Sequence, residues 1–142
     1  MLNEIVVIED SPLFRDILEE VISRFLQGHN LSTRLTIVTD WRSESTIIAP
    51  TTEASLVFLD ISLGRYNGLT LLPKIKERGR GKVVVTSSSG QVKNITLAYG
   101  LGAMFYVTKS GRRLPYEGKI DSVLTTFFLA AERPELYDYF NY

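Results

Sequence analysis

Short apolar runs alternate with helical segments five times along this chain, and this alternation limits the possible folds more than any other feature. Each run has the length of a β-strand and is rich in β-branched or aromatic residues, which indicates strands buried on both faces. The runs are residues 5–8, 35–38, 56–59, 83–85 and 105–107. Five strands alternating with helices predict an α/β domain, doubly wound, with a parallel five-stranded sheet between two layers of helices.

The segments between the runs show helical spacing of unequal clarity. In the first, six apolar residues fall on one side of a helix that Ser11 and Pro12 are suited to begin. The second helix lies somewhere in residues 43–54 but is poorly marked, because Pro50 interrupts the pattern. The other helices are predicted at residues 69–77, at about 92–101, and over a fifth apolar segment that runs from Ile120 to Ala131.

Length and charge narrow the class of protein. The 142 residues suit one domain, which we expect over residues 1–131, followed by an aromatic tail at 132–142. Sixteen basic residues balance sixteen acidic ones, which argues against direct nucleic-acid binding and against docking on an anionic membrane surface. The chain has no cysteine, so disulfides and thiolate metal sites are excluded. With no long apolar stretch and no secretory signal pattern, we expect a cytoplasmic protein.

Polar residues follow the predicted strands at the points where the strands end. In a parallel sheet these ends meet at one crevice, however far apart the residues are in sequence. Acids brought together in this way repel one another and need a cation, and oxygen ligands without cysteine or clustered histidine suit Mg²⁺. The polar strand-end residues are Glu9, Asp10, Asp60, Thr86, Ser87 and Lys109.

This set of residue types is suited to phosphoryl transfer onto a carboxylate. Asp60 is the best-placed nucleophile, because a carboxylate beside Mg²⁺ can attack a phosphoryl group. Lys109 can neutralise one phosphoryl oxygen, and a strand-end hydroxyl can donate a hydrogen bond to another. No glycine-rich nucleotide-binding motif is present, so nucleotide binding has no support.

The ordered set resembles the receiver domain of bacterial response regulators, and the resemblance covers nearly the whole chain. It is carried by the acid pair Glu9 and Asp10, by Asp60 with Gly68 eight positions later, by the hydroxyls after the fourth strand, and by the Gly-Ala-Met-Phe-Tyr-Val-Thr-Lys segment 102–109. The resemblance implies a flavodoxin-like (βα)5 fold with strand order 2-1-3-4-5.

The resemblance also implies roles for the acidic residues. Asp60 would be the phosphoacceptor, so the domain would catalyse only its own phosphorylation and dephosphorylation. Mg²⁺ would be bound directly by Asp10 and Asp60, through water by Glu9, and by the backbone carbonyl of Ser62.

Roles for the residues of the fourth and fifth strands follow in the same way. Lys109 would bind the phosphoryl group. The family's switch hydroxyl lies fifteen positions before the glycine that corresponds to Gly102, which selects Ser87 and leaves Thr86 as the alternative. Tyr106 matches the family's switch aromatic residue.

The partners implied by the resemblance are a histidine kinase or phosphotransfer protein, which would donate the phosphoryl group. A homodimer through the fourth helix, fifth strand and fifth helix is a further expectation. The aromatic tail at 132–142 is interpreted as a segment packed on the domain or as the start of a linker to a C-terminal output domain.

Several positions depart from the family pattern and leave alternatives open. Glu9 replaces the commoner aspartate, Gly64 replaces a proline in the loop after the acceptor, and Ser110 replaces the proline after the lysine. A degenerate receiver that acts only as an interaction module is therefore one alternative. Another is an aspartyl-nucleophile phosphatase of the haloacid dehalogenase type, which is disfavoured because Ser62 stands where that motif has a second aspartate.

Overall fold

The strands of the main sheet alternate with helices in the computed structural model, which describes residues 2–79, 81–109 and 112–129. In chain order the elements are β1 (Glu4–Ile8), α1 (Pro12–Gly28), β2 (Arg34–Ile37), α2 (Glu44–Ile48), β3 (Ser55–Asp60), β4 (Ser62–Leu63), β5 (Tyr66–Asn67), α3 (Gly68–Gly79), β6 (Lys82–Ser87), α4 (Val92–Gly100), β7 (Phe105–Thr108) and α5 (Arg113–Phe128).

The main sheet has five parallel strands in the order β2-β1-β3-β6-β7. Because β6 and β7 are the fourth and fifth strands of this sheet in sequence, the order confirms the predicted 2-1-3-4-5 arrangement. The winding direction reverses between β1 and β3, which are hydrogen-bonded neighbours with Ile8 opposite Leu59. The carboxyl ends of these two strands are where a doubly wound sheet places its ligand site.

Two apolar clusters cover the two faces of the sheet. One packs α1 and α5 against the face that carries Ile5, Phe58 and Val84. The other packs α2, α3 and α4 against the face that carries Val57 and Val85. All of the residues of β1 and β3 are buried, whereas the edge strands β2 and β7 are partly exposed, so burial on both faces applies only to the middle of the sheet.

The helix ends have local causes. The Ser11 side chain accepts a hydrogen bond from the Phe14 N–H and Pro12 occupies the first turn, as predicted for α1. The poorly marked second helix is only five residues long, and the Ser43 and Thr46 side chains cap it reciprocally. The fifth helix begins at Arg113, well before its first predicted apolar residue, whereas Ala131 and the tail 132–142 lie outside the described residues.

A small hairpin of β4 and β5 follows the central strand β3 and has no counterpart among the predicted elements. Leu63 pairs with Tyr66, so Gly64 and Arg65 form a two-residue turn. Gly64 has a φ of 66°, which proline cannot adopt and which suits the first central position of a type II′ turn. The glycine thus selects an ordered hairpin. Within the described part of the chain, no helix is both long and apolar enough to cross a membrane.

Candidate functional site

Three carboxylates meet at the carboxyl ends of β1 and β3. Glu9 and Asp10 directly follow β1, and Asp60 is the last residue of β3. Since these strands pair in parallel and in register, the three acids share one edge of the sheet. One oxygen from each carboxylate lies within 4.8 Å of those of the others. Glu9 and Asp60 are buried, whereas Asp10 is exposed at the mouth of the site.

Lys109 reaches the same edge from the end of β7. Its ammonium nitrogen lies 2.6 Å from Glu9 Oε1 and 3.0 Å from Asp60 Oδ2, and its side chain is only 5% exposed. When all of these groups are ionised, three negative charges face one positive charge. Two negative charges are therefore uncompensated among these four side chains, in a place where water cannot screen them well.

The pKa of Glu9 reflects this excess of negative charge. Burial of the carboxyl and its hydrogen bond with Asp60 raise the pKa of Glu9 to about 7, although the Lys109 ammonium opposes the shift. A divalent cation would supply the missing positive charge. The donor set consists of oxygens alone, which are the ligands that hard divalent cations prefer. The three carboxylates can therefore hold a divalent metal ion.

The loop after β3 approaches the site through its backbone. Ser62 lies in β4, and its N–H donates to Asp60 Oδ1 at 3.3 Å while its side chain is exposed. A side chain at Gly64 would begin 3.5 Å from Asp10 Oδ2. At Gly68, a Cβ would lie 2.1 Å from the carbonyl oxygen of Asp60, so only glycine fits there. These contacts place the hairpin directly beside the acids.

The two candidate hydroxyls lie on opposite faces of the sheet. Thr86 stands opposite Asp60 in register, and strand alternation puts its side chain on the Val84 face, where its hydroxyl neighbours that of Tyr116. Ser87 is on the other face, and its Oγ accepts from the Ser89 N–H at 3.0 Å. The two hydroxyls therefore lie in different layers of the domain.

Tyr106 lies on the same face of the sheet as Ser87, and both are bonded to residue 89. The Tyr106 hydroxyl donates to the Ser89 carbonyl at 2.6 Å. The Asn94 side chain of α4 donates to Ser89 Oγ at 2.9 Å. A continuous set of hydrogen bonds thus connects the end of β6 with β7 and α4.

The sequence did not reveal Phe14 and Tyr116 as neighbours of the site. Lys109 Nζ lies 4.5 Å from the centroid of the Phe14 ring, which meets the Tyr116 ring edge-on. Burial and the nearby carboxylates of Glu9 and Asp60 raise the pKa of Tyr116. Both aromatic residues belong to helices, where an apolar residue normally signals core packing, so spacing alone could not have selected them.

Solved structures share this architecture. The phosphorylated cyanobacterial phytochrome response regulator RcpA is 21% identical, with a TM-score of 0.75 over 92% of this chain and 96% of that one. The Mn²⁺-bound response regulator Rcp1 is 23% identical, with a TM-score of 0.73 over 89% and 95%. A response regulator receiver domain from Rhodospirillum rubrum is 25% identical, with a TM-score of 0.72 over 87% and 92%.

The family is established by a sequence model. No curated protein matches the chain in sequence. The model that describes the response regulator receiver domain matches residues 5–114, a span that includes the three acids of the site, the two strand-end hydroxyls and Lys109. The chain therefore belongs to the response regulator receiver domain family, the signalling modules of two-component systems.

Proposed function

We propose that this receiver domain accepts a phosphoryl group on Asp60 from a histidine kinase or phosphotransfer protein and then changes conformation to control an output or partner. The observation that carries the proposal is the position of Asp60. It is a buried carboxylate, paired with Lys109 and close to two further acids that can hold a metal. A degenerate domain would not need this costly concentration of charge.

The chemistry requires a nucleophile, a stabiliser of charge and a leaving group. An Asp60 carboxylate oxygen forms a bond to phosphorus while the bond from phosphorus to the donor breaks, and the donor atom keeps that electron pair. Lys109 then pairs with a phosphoryl oxygen. Mg²⁺ held by Asp10, Asp60, the Ser62 carbonyl and, through water, Glu9 would offset charge on the phosphoryl oxygens. The acyl phosphate is the product.

The conformational response would begin at Ser87. The Ser87 side chain would turn toward the new phosphoryl group to donate its hydroxyl proton, and this rotation would weaken the bond that its Oγ now accepts from the Ser89 N–H. Tyr106 is bonded to the Ser89 carbonyl and would move with this segment. The placement of Ser87 and Tyr106 in one layer supports Ser87 over Thr86 as the switch hydroxyl. Added charge at Asp60 then shifts the population between two states of the domain.

Acetyl phosphate tests the acceptor directly. With Mg²⁺ present, intact-protein mass spectrometry should show the gain of one phosphoryl group in the wild type and none in Asp60→Asn. Asp16→Asn is the matched control, because Asp16 is an exposed acid of α1 that does not belong to the group of three carboxylates. An equal gain in Asp60→Asn, or no gain in the wild type together with no binding of beryllofluoride, would refute the proposal and favour the interaction-module alternative.

A further inference from the structure

We propose that Phe14 is a positioning residue that holds the ammonium of Lys109 beside Asp60. The proposal rests on the proposed function only in giving Lys109 the phosphoryl-binding role. It concerns a contact between α1 and the end of β7 that involves none of the three acids. The Phe14 ring closes the apolar side of the space that the Lys109 ammonium occupies, and Glu9 and Asp60 close the polar side.

The geometry suits an attraction between a cation and an aromatic ring. Lys109 Nζ lies 4.5 Å from the ring centroid, well inside the range of about 6 Å in which such contacts are effective. The Lys109 side chain is almost completely excluded from water, which strengthens the attraction because little hydration competes with it. An aliphatic side chain at position 14 would fill space but would offer no negative ring face.

The ring itself is held from two directions. The Phe14 N–H donates to the Ser11 side chain in the first turn of α1, which fixes the backbone beneath the ring. On the other side, the fully buried Tyr116 of α5 meets the ring edge-on, at a centroid distance of 5.4 Å and an interplanar angle of 89°. Packing of α1 on α5 therefore fixes the orientation of the surface that the ammonium contacts.

The ion pairs alone do not fix the direction of the Lys109 side chain. The backbone is held at the end of β7, where the Lys109 N–H donates to the Ser87 carbonyl at 2.7 Å, but the four-carbon side chain beyond it has many rotamers. The two carboxylates draw the flexible side chain in two directions. A fixed aromatic surface narrows the positions of the ammonium before the phosphoryl group arrives, and this reduces the entropic cost of the reaction.

Phe14→Leu tests the role of the ring. We expect the initial rate of phosphorylation by acetyl phosphate to fall about three- to tenfold, while Mg²⁺ affinity stays unchanged because Phe14 is not among the proposed metal ligands. Phe14→Trp should recover the rate. Phe127→Leu is the matched control, since Phe127 is a partly buried aromatic residue with an edge-on partner, Phe105, at 5.6 Å. Its phosphorylation rate should equal that of the wild type.

Two further measurements separate positioning from a general loss of structure. In a Lys109→Met background, Phe14→Leu should cause no additional loss of rate, because the cation is already gone. In the protein without phosphoryl donor, the NMR signals of the Lys109 side chain should be shifted upfield by the Phe14 ring, and Phe14→Leu should remove that shift. The second readout remains valid if the wild type accepts no phosphoryl group, so it distinguishes the two proposals. Equal losses in both backgrounds, or absence of the ring shift, would overturn the inference.

Discussion

The fold opposes the ionisation of Glu9, a carboxyl at the centre of the candidate site. Its pKa is raised from the ordinary value of 4.5 to about 7, first by burial and then by the neighbouring Asp60. A carboxyl with a raised pKa favours the folded state in its protonated form. Its contribution to stability is therefore fully present below pH 4.5, and it is lost as the pH rises toward 7.

The exchange of Glu9 for glutamine should remove this pH dependence. Between pH 5 and pH 8, the metal-free wild type should lose about 1–3 kcal/mol of its free energy of unfolding relative to metal-free Glu9→Gln. Urea unfolding in the presence of a chelator measures both values. Glu19→Gln, a change at an exposed acid of α1, should follow the wild type at both pH values. Parallel loss of stability in the wild type and Glu9→Gln would contradict the expectation.

At the level of residues, the sequence revealed the acids and the lysine but missed the aromatic support. Asp10, Asp60 and Lys109 were found because polar residues that directly follow buried strands must meet at one edge of a parallel sheet. Phe14 acts across the contact between α1 and α5, and the side-chain geometry of such a contact is set by tertiary packing. No local pattern encodes it.

At the level of elements, Gly68 determines how closely α3 can begin beside the end of β3. A Cβ at this position would collide with the Asp60 carbonyl oxygen and with the backbone of Ile61. We expect Gly68→Ala to lower the free energy of unfolding by about 1–3 kcal/mol, since backbone must move to admit the methyl group. Urea unfolding monitored by circular dichroism measures the change.

Gly118 provides the matched control. It lies within α5, and a Cβ there would meet nothing within 4 Å. Gly118→Ala should therefore raise the free energy of unfolding by about 0.5–1 kcal/mol, because alanine loses less backbone entropy in a helix. If both substitutions stabilise the protein, the backbone around Asp60 moves aside at little cost, which would contradict the expectation for Gly68.

The elements that the sequence located poorly are those stabilised by few residues. α2 depends on a reciprocal cap between Ser43 and Thr46, and five residues are too few to show helical periodicity. The β4–β5 hairpin has two residues in each strand, which cannot display alternation. Its clearest sequence signal is Gly64, but the resemblance to receiver domains marked that residue only as a departure from the usual proline and not as part of a turn. The long helix α1 and the central strands repeat their patterns often enough to be recognised.

At the level of the whole molecule, the alternation of strands and helices predicted the parallel sheet covered on both faces, whereas the strand order came from the resemblance to receiver domains. The arrangement of the surface residues is harder to predict from the sequence. Exposed apolar side chains are grouped on α4 and on the segment that leads to β7: Leu97, Tyr99, Leu101 and Met104. Of these, Tyr99 lies beside Tyr106, whose N–H donates to the Tyr99 hydroxyl at 3.2 Å. Exposed apolar side chains on α4 are consistent with the expected homodimer through α4, β7 and α5.

Sedimentation velocity tests that dimer. With Mg²⁺ and beryllofluoride, we expect the wild type to dimerise and Leu97→Asp to stay monomeric, because a charge at the interface would lose its hydration. Leu13→Asp is the control, as Leu13 is an exposed leucine of α1 on the other side of the sheet. A wild type that stays monomeric under these conditions, or a Leu97→Asp variant that dimerises as well as the wild type, would argue against this interface.

Strand β7 carries Lys109 just beyond its end and Tyr106 within it, three positions apart and on opposite faces. If the proposed function holds, only about 10 Å of one strand separates Lys109, which would bind the phosphoryl group, from Tyr106, which would pass the change to a partner. Under that proposal the two helical layers would have different roles. Substitutions in the α1 layer would alter the rate of phosphorylation, and substitutions in the α4 layer would alter the choice of partner.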